Sequence, residues 1–197
     1  AAITNATSLS VSSTSNLGAD VTTSSTQTYT SGVTLSGGNR TLTASIVNFV
    51  DTLAGGDNGL TITGNLDLDG AATDLSTLSV SGTSNLGADV TTSSTQTYTD
   101  DVTISNNITL TTTDSNITFG ATTNAGTAGN TLTIAAGSGD VTFTDAVGGT
   151  TAMGNITITT GALSAAAIKV QGTIDITNSD TSSITGIISD GASSAIV

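Results

Sequence analysis

The amino-acid sequence predicts an all-β protein wound as a parallel β-solenoid, and three observations carry that expectation. Residues 9–30 (LSVSSTSNLGADVTTSSTQTYT) recur at 78–99 with one difference, Ser13 against Gly82, an offset of 69 residues. A near-perfect internal repeat points to a repeat architecture. The composition removes the good helix formers: all fifteen acidic residues are Asp, and Lys and Arg together number two. What remains is Thr, Val and Ile, which favour pleated strands, with Gly, Asn and Asp, which favour tight turns. Finally, short apolar-x-apolar runs recur at a spacing near 24 residues.

Taken along the chain, these runs fall at 9–11, 33–35, 47–49, 60–62, 66–68, 78–80 and 102–104. They continue at 108–110, 117–119, 132–134, 141–143, 156–158, 168–170 and 174–176. Alternation with period two is the signature of a strand. The spacing of 24 appears from 9 to 33, from 78 to 102, from 108 to 132 to 156, and from 117 to 141. The 69-residue duplication is close to three such units. One unit fits one coil, with equivalent residues stacked about 4.8 Å apart. The expectation is a single continuous solenoid over residues 1–197, of about eight coils and about 40 Å.

Stacking assigns the residues. Ile108, Leu132 and Ile156 form one inward column, and Leu110, Ile134 and Ile158 the next. Ile117 lies over Val141 and Phe119 over Phe143. The intervening Thr109, Thr133 and Thr157 point outward as a threonine ladder, and Asn107, Thr131 and Asn155 stack at a turn. Residues 120–130 and 145–154 read as wider loops, and 161–167 (GALSAAA) as one short helical turn. The competing architecture is an antiparallel β-sandwich, which also has short strands at regular spacing. The lack of clean two-residue hairpin turns favours the solenoid.

Charge and composition exclude several roles. A net charge of −13 does not suit nucleic acid, whose phosphates need Lys and Arg, nor direct docking on anionic lipid. No run of about 18 apolar residues marks a transmembrane helix. The opening AAITNATSLS has no basic start and no apolar stretch, so it does not read as a signal peptide; the chain reads as a cut from something longer.

Candidate chemistry is sparse. There is no His or Cys to serve as general base or nucleophile. The one Arg, Arg40, and the one Lys, Lys169, are far apart. Two Asp pairs, Asp67 with Asp69 and Asp100 with Asp101, have the composition of a glycoside-hydrolysing site but equally that of solvated turn carboxylates. Calcium is the inorganic partner this composition suits, because its ligands are hard oxygens. Its candidates are Asp57, Asp67 and Asp69, which match neither an EF-hand loop nor the glycine-rich calcium repeat. The threonine ladder suggests ordering of water or binding of ice. Its register is imperfect: Thr131 with Thr133 sits two residues off the other pairs, and Ala135 interrupts the neighbouring column. Five Asn-x-Ser/Thr sequons begin at Asn5, Asn39, Asn107, Asn116 and Asn155.

The phrases 95–99 (TQTYT) and 183–191 (SITGIISDG), in a cysteine-free chain rich in Thr, Ser, Gly and Asn, resemble the β-helical portions of secreted bacterial surface proteins. These are the autotransporter passengers and the filamentous-haemagglutinin-like exoproteins of two-partner secretion. The resemblance implies a right-handed parallel β-helix, an extracellular or cell-surface location, and a role in adhesion or surface coating. The expected partners are other copies of the chain, neighbouring coils, or a host-cell or glycan surface. It carries over no catalytic residue.

Overall fold

The computed structural model describes residues 1–186 and 188–190; the rest of the tail, including Ile187 and Gly191 of the phrase at 183–191, lies outside the described residues. The described chain is all-β, and its strands pair in parallel throughout. This architecture is a β-solenoid and excludes the antiparallel sandwich. The pairings define three faces, which the chain visits in turn. Face A begins at Leu9–Val11, face B at Ser15–Leu17, and face C at Ile3–Ala6, returning at Val21–Thr23.

The register fixes the coil length. On face A, Leu9 pairs with Gln27, Gln27 with Val47, Val47 with Leu66, Leu66 with Ser84, and Ser84 with Val102. The coils average about 19 residues and number about ten, against the expected 24 and eight. The expected stacking holds where the coils are longest. Ile108, Leu132 and Ile156 are register partners, as are Leu110, Ile134 and Ile158, and all six are buried. Ile117 lies over Val141 and Phe119 over Phe143. It fails at the other two places: Leu9 does not stack on Val33, nor Leu78 on Val102. There the interval of 24 is one 18-residue coil plus one six-residue side. The intervening sides were hidden because their inward positions are polar: Ser15 and Gln27 in one copy, Ser84 and Gln96 in the other.

The six-residue side also explains the duplication. The offset of 69 residues is three coils and two sides, so the two copies occupy different faces. Gln27 and Tyr29 sit on face A, whereas their counterparts Gln96 and Tyr98 sit on face C. The match extends upstream of residue 9: Ala2 and Thr4 correspond to Ala71 and Thr73, and Asn5 and Asp74 share a left-handed backbone, at φ 62 and 53. Three sides of like geometry accept the same sequence at either rotational setting.

Two local expectations are corrected. Residues 161–167 hold the strand Leu163–Ala165 in place of a helical turn, because pairing with Val141–Phe143 outweighs the helix propensity of alanine. Within 120–130, Thr123–Ala125 is a strand on face A. Residues 145–154 form a wider loop, from which Val147 and Met153 make isolated bridges and plug the core.

The core is one continuous column of buried side chains. Parallel stacking places like side chains face to face: Tyr29 stacks on Phe49 at 5.3 Å, Tyr98 on Phe119 at 5.4 Å, and Phe119 on Phe143 at 4.5 Å. Phe119→Ala should cost about 3–5 kcal/mol in urea unfolding, by removing the middle ring of its stack. Gly64 has φ +126, and a Cβ there would meet the Ala44 carbonyl oxygen of the preceding coil. Gly64→Ala should therefore cost more than about 2 kcal/mol in the same measurement.

Candidate functional site

The side chains with polar chemistry serve mainly to join coil to coil. The residue just before a strand is repeatedly Asn or Asp, and its Oδ1 accepts the backbone N–H of its own register partner one coil on. Asp20 accepts from Thr41 at 2.9 Å, Asn65 from Thr83 at 3.0 Å, Asp89 from Thr109 at 2.7 Å, and Asn116 from Asp140 at 2.8 Å. The turn stack expected at residues 107, 131 and 155 is part of this system: Asn107 accepts from Thr131 at 2.9 Å, and Asn155 from Thr173 at 2.8 Å. These N–H groups lie where the strand ladder has ended, so the side-chain oxygen supplies the partner they lack. One methylene places that oxygen a coil step from its own backbone, whereas the longer Glu side chain overshoots. Four of the five sequon asparagines, Asn39, Asn107, Asn116 and Asn155, are such acceptors.

A second device is the TSSTQTY corner, built identically in both copies. The buried Thr92 hydroxyl donates to the Ser94 carbonyl, and Gln96 Nε2 donates to the carbonyls of Val90 (3.3 Å) and Thr111 (2.9 Å). The Tyr98 hydroxyl donates to Gln96 Oε1 at 3.0 Å. In the first copy Thr23, Gln27 and Tyr29 repeat the arrangement, with Gln27 donating to Val21 and Thr43. Burial pushes the Tyr29 phenol from 10.0 up to about 12 and raises Tyr98 as well.

Asp57 is exposed within the strand Leu53–Leu68, at a left-handed φ of 62. Asp67 points outward on face A and accepts from Asn85 Nδ2 at 2.8 Å. Asp69 is exposed at the next corner, and its carboxyl is raised by desolvation and then by the charge of Asp67. Asp100 caps its own turn at Asp101 N–H, while Asp101 accepts from the backbone and hydroxyl of Thr122. Among the described residues no three carboxylates converge as a metal site would require.

The expected threonine ladder is present on face B. Thr109, Thr133 and Thr157 are register partners, the next position is Asp175, and Ala135 interrupts the neighbouring column as its sequence indicates. A longer array lies on face C. Thr41, Thr61, Ser79, Thr97, Thr118, Thr142, Ser164 and Ser183 are successive register partners and form an unbroken file of outward hydroxyls. A second file runs beside it through Thr43, Thr63, Ser81, Thr99, Gly120, Thr144, Ala166 and Thr185, held by the continuing ladder bonds. The signal for it in the sequence is hydroxyl-x-hydroxyl around a buried residue, recurring every 18 to 24 positions. The varying coil length hid it.

Two open depressions, of about 420 and 250 Å³, lie over Ser15 and Ser84. Equivalent residues of the duplication line both: Thr14 and Thr83, Asn16 and Asn85, Thr34 and Thr103. Comparison with protein-family models, with curated proteins and with solved structures finds no match.

Two outcomes follow from the corner. Gln27→Leu and Gln96→Leu each strand a buried tyrosine hydroxyl and two carbonyls, so each should cost about 1–3 kcal/mol, by nearly equal amounts, in urea unfolding. Raising pH should destabilise the fold through the tyrosines. Between pH 10.0 and about 12 the unfolded chain ionises Tyr29 while the folded chain keeps it protonated, so stability is full below this window and is lost as pH rises through it. Tyr29 and Tyr98 are the only tyrosines. Tyrosinate absorbance should therefore stay silent at pH 10.5 and rise together with unfolding measured by circular dichroism.

Proposed function

We propose that this chain is a non-catalytic structural and adhesive rod, a segment of an extracellular fibre, stalk or adhesin at a bacterial cell surface. One observation carries the reading: coil is joined to coil along the described length by strand pairing, by Asn and Asp corner bonds and by one core. Such a construction transmits load along its axis while presenting long polar faces sideways. Of the two Asp pairs, Asp100 and Asp101 are engaged as backbone acceptors at a corner and Asp67 accepts from Asn85, a structural use of the residues a hydrolase would need as acid and base. The composition, poor in Lys and Arg and free of Cys, and the resemblance to secreted β-helical exoproteins support the surface location. The partners of this reading are neighbouring coils, further copies of the chain, and the surface to which the rod adheres.

Small-angle scattering and negative-stain microscopy of the chain test the reading. Ten coils at the strand spacing give a particle about 48 Å long, or longer fibres of the same cross-section if copies stack end to end. A compact sphere, or steady turnover of a polysaccharide abolished by Asp67→Asn or Asp101→Asn, would sink it.

A further inference from the structure

We propose that face C is the adhesive surface of the rod and that its ligand is ordered water, the surface of ice. This rests on the rod reading and assigns its binding face. Two parallel files of outward positions run along eight coils, and six of those coils carry a hydroxyl at both positions, as at Thr61 with Thr63 and Thr142 with Thr144. The strand geometry repeats them about 4.8 Å apart along the rod and about 6.6 Å apart along each strand. Those distances are close to the repeats of oxygen atoms on exposed planes of hexagonal ice. A Thr side chain on a strand has a restricted χ1, so its hydroxyl and methyl are held at fixed positions before any ligand arrives, which lowers the cost of binding.

The other occupants fit less well. The chain carries a net charge of −13, yet none of the outward positions in the two files is charged. An ionic partner therefore has nothing to pair with. A crystalline polysaccharide is ordinarily gripped by exposed aromatic rings, and here Tyr29, Tyr98, Phe49, Phe119 and Phe143 are all buried. A second copy docking face to face would need apolar area, and the exposed large hydrophobics among the described residues, Ile3, Ile46 and Val50, are not members of either file. Face B is a poorer lattice: of its last five described coils only two, at Thr109 with Thr111 and at Thr157 with Thr159, carry a hydroxyl at both outward positions, and Asp89 and Asp175 stand at the two ends of the Thr109 file.

The test is partition of the full chain into slowly grown ice, beside an inert acidic protein of similar size. The wild-type chain should be enriched in the ice fraction at least about tenfold over that reference. Thr61→Lys with Thr99→Lys should abolish the enrichment, whereas Thr91→Lys with Thr159→Lys on face B should retain it. If the face C lysine variant melts lower than wild type, Thr61→Val with Thr99→Val replaces it and should reduce enrichment several-fold. Exclusion of the wild-type chain from ice would overturn the proposal, as would equal loss from both faces, or retention on cellulose or chitin without uptake into ice. Particle shape is read independently, so a rod excluded from ice removes this inference and leaves the rod reading standing.

Discussion

Every part of this molecule depends on one constraint: each residue must meet its register partner in the next coil at the spacing of neighbouring strands. Parallel pairing meets it along the sides. At the corners the ladder stops, and a buried or half-buried N–H without a partner is costly. The Asn and Asp side chains close that gap at corner after corner. Five of the fifteen Asp residues, Asp20, Asp89, Asp101, Asp114 and Asp140, join coils in this way.

The same constraint explains which buried polar groups are tolerated. Gln27 and Gln96 occupy inward positions next to Val47 and Leu78, which are apolar. They are accommodated because the carboxamide reaches carbonyls of its own coil and of the next, and because a tyrosine hydroxyl completes the set. The corner is a satisfied network, and satisfied networks specify one arrangement where an apolar pair would permit several. The four-coil stack from Tyr98 through Phe119 and Phe143 to Ala165 shows the complementary rule for apolar columns, in which the large rings end on a small residue.

Much of the fold was legible in the sequence, and the failures have physical causes. Class, parallel winding and the columns through Ile108 and Leu110 follow from alternation and from a regular interval. The coil length was misjudged because Ser15, Gln27, Ser84 and Gln96 interrupt the apolar pattern on sides that are nonetheless present. The longest coils, between Ile108 and Ile156, carry unbroken apolar pairs on faces B and C, with polar inward positions only at Thr112 and Thr123, so they set the apparent period. The threonine ladder on face B was visible for the same reason. The longer array on face C was not, because outward Thr is the default residue of an exposed strand and only the register shows that eight of these positions fall in one file. The turn role of Asn107 and Asn155 was legible; the bonding that makes it general required coordinates.

The duplicated phrase sits on face A in one copy and on face C in the other, and this bears on how such a chain grows. Inserting or deleting whole six-residue sides leaves the inward pattern intact, so the fold tolerates lengths that are not complete coils. Each such event turns everything downstream about the axis by a third of a revolution. Length changes in one part of the chain therefore act as a dial that sets the compass bearing of every surface beyond it.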